Sequence, residues 1–413
     1  MTYIKSRLLL STLIPLTLCA HNAQAAGFYI QESSISAMGS AFAGSVTNID
    51  DASTVFFNPA GMTDLKGAQL NTGAHVIIPN ADLTNTGSTV PTGGLDSSDN
   101  PYSATPVPNF FAAMPISGDK VWLGVGTSAP FGLASEYDED WFGRYDSTKT
   151  KLKTINVSTV LAYKINDKIS IGGGLDMQYA DANLQAVAFA GTEGESRLAG
   201  DDLSFGYNIG LTAKPLEGTE IGLHYRSAVD HELAGTISAE GTGGADFSAP
   251  ATVNLKLPDI TTLGVSQSVN DKLKLMGQVT WFGWENFKEI RAVSGAGTTL
   301  SNTPQNYENA IAIAVGAEYD YSEKLRLRVG YQFDETPTVD EFRTSRTPDG
   351  DRNWFTLGGT YNLNEKMSVD FSGAYIDIGE ETINVSRNGG LSTVQAKTEG
   401  EIGILSFGLN YKF

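Results

Sequence analysis

The residues best suited to chemistry in this 413-residue chain are charged side chains spaced two apart among apolar ones. Arg326 and Arg328 alternate with Leu325, Leu327 and Val329, so an extended backbone puts both guanidinium groups on one face and the aliphatic residues on the other. Lys274, Asp176 and Asp370 take the same inward register in similar runs. A guanidinium in a low-dielectric pocket favours a carboxylate, which it can grip through two parallel hydrogen bonds. That carboxylate could belong to a bound acid or to a neighbouring side chain, and the spacing leaves both open. Enzymatic patterns are missing. Beyond the leader the histidines are His75, His224 and His231, with no His-Glu-x-x-His and no Gly-x-Ser-x-Gly. Asp349, Asp351 and Asn353 resemble the start of a calcium loop, but Trp354 stands in place of its glycine and Thr360 in place of its closing glutamate. No catalysis, metal or cofactor is expected.

The elements that must position these charges are long strands. Leu325, Leu327, Val329, Tyr331 and Phe333 alternate with Arg326, Arg328, Gly330 and Gln332. Met367–Tyr375 and Ile169–Tyr179 show the same period of two. Alternation over about ten residues is the signature of a membrane-spanning strand, whereas strands of soluble sandwiches are nearer five or six. Short polar connectors recur at 117–119, 166–168, 217–219, 270–272, 322–324 and 364–366, with the Asn, Asp and Gly that tight hairpins prefer. Between them lie polar stretches near 79–108, 129–150, 189–203, 228–251, 285–306, 334–352 and 380–398, read as long loops. Six turns and seven loops predict an all-β membrane protein, an antiparallel barrel of about fourteen strands with both termini periplasmic. The last strand places Leu405, Phe407, Leu409, Tyr411 and the terminal Phe413 on one face.

The ends and the composition fit an exported chain. Lys5 and Arg7, the apolar run Leu8–Leu18 and Ala23-Gln24-Ala25 predict a signal peptide over 1–25, which carries away Cys19, the single cysteine. Of 28 basic residues 26 then remain against 47 acidic ones, a balance that argues against nucleic acid and anionic phosphate partners. Residues 26–67 hold no long alternating run, yet they contain Phe28, Ile35, Met38, Phe42, Val55, Phe56 and Phe57. A disordered tail is poor in such residues, and a barrel this wide leaves a lumen its own side chains cannot fill. The segment is expected to be a plug inside the barrel, which occupies 68–413. Val121–Ser128 reads as strand three, and Ala129-Pro130-Phe131-Gly132 follows it directly. Proline lacks the ladder donor, so these residues either break the strand or begin a loop.

Several fragments, in order, resemble the outer-membrane long-chain fatty-acid transporter (FadL/OmpP1/TodX) family over essentially the whole mature chain. They are Ala26-Gly27-Phe28, Asn58-Pro59-Ala60, Gly143-Arg144-Tyr145, Tyr225-Arg226-Ser227, Leu257-Pro258-Asp259, Trp281-Phe282-Gly283-Trp284, Asp334-Glu335-Thr336-Pro337 and Pro348-Asp349 with Asp351-Arg352. The resemblance implies a fourteen-stranded barrel with an N-terminal hatch containing Asn58, Pro59 and Ala60. It also implies passive uptake of hydrophobic molecules through a lumenal pocket and a sideways exit at a kink in strand three, here Pro130, Phe131 and Gly132. Fatty-acid members hold the head group with basic residues after strands five and nine. Arg291 matches the second position and Lys288 lies beside it, but Ala186 stands at the first. Arg291, Lys288, Arg328 and Arg326 are therefore the candidate ligand residues. The expected cargo is long-chain fatty acid, with aromatic or alkane hydrocarbons, or a structural or adhesive barrel that transports nothing, as alternatives. The expected setting is a monomer in the outer membrane of a Gram-negative bacterium, among lipopolysaccharide and outer-membrane lipids.

Overall fold

The computed structural model describes residues 27–47 and 50–413, and the expected signal over 1–25 lies outside them. Nineteen strand segments form one antiparallel sheet, which closes where Gln69–Asn85 pairs with Ser392–Lys412. Five of the gaps between segments fall within a strand, so the nineteen make a closed barrel of fourteen strands. The third strand is Val121–Ser128 plus Gly132–Glu136, and the seventh is Thr219–Arg226 plus Val229–Glu240. The eighth is Phe247–Leu257 plus Ile260–Ser268, the ninth Leu273–Phe282 plus Glu289–Val293, and the tenth Thr299–Pro304 plus Ala310–Asp320. The other nine run uninterrupted.

Alternation explains why the sheet closes around a polar interior. Leu161, Leu175, Ile209, Val315 and Leu357 are exposed on the outer face, while Asn156, Ser158, Asp176, Asn208 and Gln332 are buried on the inner one. Tyr163, Tyr319 and Tyr361 lie near the short turns, and Tyr179, Tyr207, Trp281, Tyr331 and Tyr375 lie about seven to eleven residues above them. Two aromatic belts bounding an aliphatic band are the mark of a membrane barrel.

The loop lengths read from sequence need correction. The connection expected over 189–203 is a hairpin at 190–192, because strands five and six run through Phe189 and from Glu193. Strands thirteen and fourteen likewise extend to Arg387 and from Ser392. Strand one continues to Asn85, and strands seven to ten also climb into stretches read as loops. Above the membrane both faces of a strand meet water, so alternation fades although the ladder continues. The six short turns fall where they were expected.

Residues 27–47 and 50–65 are almost wholly buried. Their short helices Ile35–Met38 and Thr54–Phe57 and the 3₁₀ turn Pro59–Asp64 touch strands from several sides of the barrel. The backbone approach is close. A Cβ on Gly210 would lie 1.9 Å from Asn58 Oδ1, and one on Gly222 would lie 1.8 Å from the Val46 carbonyl. Only glycine fits at these two wall positions. Asn58 Oδ1 accepts from the Ala60 amide, and its Nδ2 donates to the Val46 and Leu211 carbonyls. Lys214 pairs with Asp64 at 2.6 Å.

Candidate functional site

Pro130 interrupts the third strand. The second strand pairs with it only from Phe110 to Ser117, so Thr105–Asn109 faces Gly132–Glu136 without a ladder. A closed barrel has no edge, and an unpaired stretch of wall is therefore an opening. The chain leaves the strand after Ser128 and re-enters it at Gly132, both parts pairing with strand four.

Residues 28–30 of the inner segment cover that break from inside. The Ile30 amide donates to the Pro130 carbonyl at 2.8 Å, and the Gly132 amide donates to the Phe28 carbonyl at 3.0 Å. The Phe131 carbonyl accepts from Thr154 Oγ1 at 2.8 Å and from the Thr154 amide at 3.1 Å, so it stays bound to strand four. The Phe28 ring lies 6.2 Å from Phe131, 4.7 Å from Trp284, 5.5 Å from Phe287 and 6.5 Å from Tyr307. These partners come from the interruptions of strands three, nine and ten. Phe28 thus joins the inner segment to the places where the wall is irregular.

Beyond Phe28, which forms part of its lining, is an apolar pocket. Leu133, Leu152, Leu184, Leu198, Leu233 and Leu255 make its wall aliphatic. Its polar lining includes Gln305, Arg346 and Thr347. Arg346 descends from the connection over 335–351. Its guanidinium donates to the Lys149 and Gln185 carbonyls, at 3.1 and 3.0 Å, and to Ser147 Oγ and Thr150 Oγ1, at 3.3 Å each. Among the described residues no carboxylate lies within ion-pair distance of it. Burial lowers its pKa to about 10, with Asp146 acting against the shift and Arg387 with it, so the group stays cationic at neutral pH. Among the described residues Gln305 Nε2 is buried without a hydrogen-bond partner, whereas the Thr347 hydroxyl has the Tyr307 hydroxyl as a neighbour. A buried donor left unpaired costs about 1–3 kcal/mol, so this end of the cavity is built to receive an acceptor.

The residues singled out in the sequence are distributed differently. Arg326 pairs with Asp50, Glu318 and Asp320, and Arg328 with Glu318 at 2.9 Å, both just above the 321–324 turn. Here the neighbouring side chains, and not a bound acid, supply the carboxylates. Asp176 and Arg226 form a 2.5 Å pair, with the guanidinium over the Phe56 ring at 4.3 Å. Arg291 is half exposed and pairs with Glu289 at 2.9 Å, and Lys288 is exposed. Their neighbours Phe287 and Ile290 line the cavity, while Arg291, next to Ile290, alternates to the outer face. None of the four basic candidates is among the lining residues. Arg346 has no alternating run around it, and nothing in the sequence singled it out.

A closed barrel of this size, with a filled lumen, an aliphatic internal cavity and a broken wall strand, is an outer-membrane transporter architecture for hydrophobic compounds. The profile of the outer membrane protein transport protein family (OMPP1/FadL/TodX) matches residues 16–413, and the chain belongs to that family. Its members are transporters and channels of hydrophobic small molecules such as fatty acids or aromatics, and the protein resides in the Gram-negative outer membrane. The chain is 30% identical over 392 residues to the 47 kDa outer membrane protein of Pasteurella multocida, covering 87% of this chain and 89% of the relative. It is 29% identical over 436 residues to the long-chain fatty acid transport protein of Salmonella typhi, covering 97% of both. A crystal structure of a Pseudomonas aeruginosa FadL homologue shares the fold at a TM-score of 0.88 and 23% identity, covering 94% of this chain and all of the other. The Pseudomonas putida toluene transporter TodX does so at 0.68 and 17%, covering 89% and 95%.

Proposed function

We propose that this chain takes up long-chain fatty acids passively, with the alkyl chain in the leucine-lined cavity and the carboxylate at Arg346. The observation that carries the reading is a half-buried cation with no carboxylate within ion-pair distance among the described residues, at the border of an aliphatic space. A carboxylate entering there gains charge-assisted hydrogen bonds from a group already partly desolvated, and Gln305 Nε2 offers a further contact. The named activity of the Salmonella typhi relative agrees with this cargo. Arg291, Lys288, Arg326 and Arg328 are then outer-face or structural charges, and Arg346 takes the role the resemblance gave to basic residues elsewhere.

The segment 26–67 acts as the hatch, with Asn58, Pro59 and Ala60 holding its base. Cargo pushing Phe28 aside breaks the contacts of residues 28–30 with Pro130 and Gly132. The cavity then communicates with the opening between strands two and three, through which an apolar molecule leaves without crossing water. Strand pairing closes the barrel within one chain, which suits a monomer surrounded by lipopolysaccharide and outer-membrane lipid.

The test is the binding of a fatty acid and of its methyl ester to purified wild type and Arg346→Leu. A hydrogen bond to a charged group is worth about 1.5–3 kcal/mol, so the acid should bind about 10- to 150-fold more weakly to the variant. The ester should bind both alike. Equal affinity of the acid for both proteins refutes the head-group assignment. A wild-type preference for toluene over the acid would establish aromatic hydrocarbons as cargo instead.

A further inference from the structure

The two edges of the strand-three break are finished differently. On the strand-four side Thr154 satisfies the lapse, because its Oγ1 accepts from the Phe131 amide at 2.9 Å and donates to the Phe131 carbonyl at 2.8 Å. On the strand-two side the last rung joins Phe110 to Thr127. The next residues past it are Asn109 and Ser128, both buried on the inner face. Asn109 Oδ1 and Nδ2 and Ser128 Oγ have no hydrogen-bond partner among the described residues.

Two more such atoms lie close by. His75 stands two residues beyond Gly73, the strand-one partner of Asn109, and so shares its face. Its Nδ1 meets Ser406 Oγ at 2.7 Å, while its Nε2 is buried and unpartnered. Ser33 belongs to the inner segment, which passes from Ile30 at the Pro130 carbonyl to Ile35 over Gly73, and its Oγ is also buried and unpartnered.

The backbone makes no matching demand. Pro106 and Pro108 have no N–H, and the ladder with strand one runs unbroken past both, so the donors they lack are those of the strand-three edge. The unmet polar groups at this opening are therefore side chains.

A buried polar atom without a partner is costly, and five of them around one opening call for a group that arrives there. They offer an amide, two hydroxyls and an imidazole, with no carboxylate and no guanidinium. Such a set suits a carboxyl group in transit. A guanidinium grips a carboxylate about twice as strongly as neutral donors do and would retain it, whereas neutral donors receive it and let it go. Asn109 and Ser128 lie about eight residues above the short turn that joins their strands, level with the outer aromatic belt. A carboxyl group held there is at the height of the lipid head groups, with its chain free to lie among acyl chains.

We propose that Asn109 and Ser128, with Ser33 and His75 beside them, form an exit station that takes the carboxyl group of the departing fatty acid from Arg346 and passes it to the membrane surface. This rests on the reading that the head group is held at Arg346 and the chain leaves between strands two and three. The station is covered while residues 28–33 lie over the break and is uncovered when they move aside. A hydrocarbon brings it no hydrogen-bonding group, so the station favours acids over hydrocarbons at the step of release.

The test follows release from the processed full-length barrel in nanodiscs. Protein loaded with a radiolabelled long-chain fatty acid is mixed with phosphatidylcholine acceptor vesicles, and affinity is measured separately in detergent. Asn109→Leu, Ser128→Ala and the double variant remove the donors and leave Arg346 in place. A neutral hydrogen bond is worth about 2- to 13-fold, so each single variant should release the acid severalfold more slowly and the double variant about tenfold or more, with detergent affinity unchanged. Release of the alkane of the same length should not slow. Loosened packing would hasten release, so the sign separates the station from a structural role. Unchanged release of the acid by the double variant overturns the station and leaves its atoms to water alone, and equal slowing of acid and alkane overturns it as a blocked passage. If Asn109→Leu does not fold, Ser128→Ala, which deletes one oxygen, decides the matter. A wild type that binds no fatty acid in detergent removes the cargo reading and the station with it, whereas binding with release indifferent to the variants removes the station alone.

Discussion

Replacing Phe28 by Ala removes the ring that four aromatic neighbours surround and leaves every backbone hydrogen bond of residues 28–30 available. Phe28 is 5% exposed, so truncation forfeits most of its burial, and Phe→Ala in a packed core costs about 3–5 kcal/mol. The cost falls on the docking of this one segment, because the barrel's ladders do not depend on Phe28. A loss of about 3 kcal/mol multiplies the open population about 150-fold. Hydrogen exchange read by mass spectrometry over 28–33 and 131–135 should quicken by that order, with Ile30 and Gly132 as the reporting amides. Exchange in the continuous fifth strand, Ile169–Phe189, should not change. Phe28→Leu, which keeps part of the volume, should fall between. An increase under about threefold at Ile30 and Gly132 would refute the claim that Phe28 latches the segment over the strand-three break. An equal increase throughout the barrel would refute the locality of the effect.

Three further outcomes follow from the same geometry. Burial raises the Glu32 carboxyl to about 7, against the pull of backbone amides and Arg352; a raised folded pKa contributes stability present below about 4.5 and lost as pH rises through about 7. Exchange over 30–34 should therefore quicken across that window in wild type, and Glu32→Gln should flatten the dependence; an identical slope in both refutes the assignment. Burial pushes Asp146 up, but Arg387, Arg346 and Ser345 outweigh it and hold it below the ordinary carboxylate range. Asp146→Asn leaves Arg387 without its carboxylate, and breaking a buried pair costs about 3–5 kcal/mol; limited proteolysis should cut 137–148 and 335–351 faster, and unchanged resistance would refute the tie. Gly210→Ala sets a methyl against Asn58 Oδ1 and, at about 1–3 kcal/mol for overpacking, should raise protease sensitivity of residues 50–65 while strand protection stays intact.

What was legible in the sequence follows the membrane. Where one face of a strand meets lipid, as from Leu325 to Phe333, alternation is enforced residue by residue, and the strand and its inward charges can be read directly. The same strands lose that pattern above the bilayer, which is why 189–203 and 380–398 read as loops although they carry ladders. Pro130 was legible because proline lacks the ladder donor, and Pro258 has the same signature at the interruption of strand eight. Arg346 was not legible. It stands in an irregular connection whose inward course depends on Tyr137, Asp146 and Arg387, residues 40 to 210 positions away along the chain. The basic residues at strand positions were easier to find and proved to be paired with neighbouring acids.

The five strand interruptions have a common logic. Those of strands three, seven, eight and nine lie some ten residues above their periplasmic turns, where lipid gives way to head groups. Inside the hydrocarbon an unpaired peptide group costs several kcal/mol, so a barrel tolerates lapses in its ladder only where water or other protein can satisfy them. Here the inner segment serves the strand-three break through Phe28 and Ile30, and strand ten serves the inward fold of strand nine through Lys288. An aromatic cluster centred on Phe28 then fills the space between the two irregular regions. Because the cavity touches Leu133 beside the strand-three break, removing one ring from that cluster would thin the barrier between cavity and break. Irregular pairing that would only weaken a structural barrel thus becomes, at this height and around this residue, a route for apolar molecules.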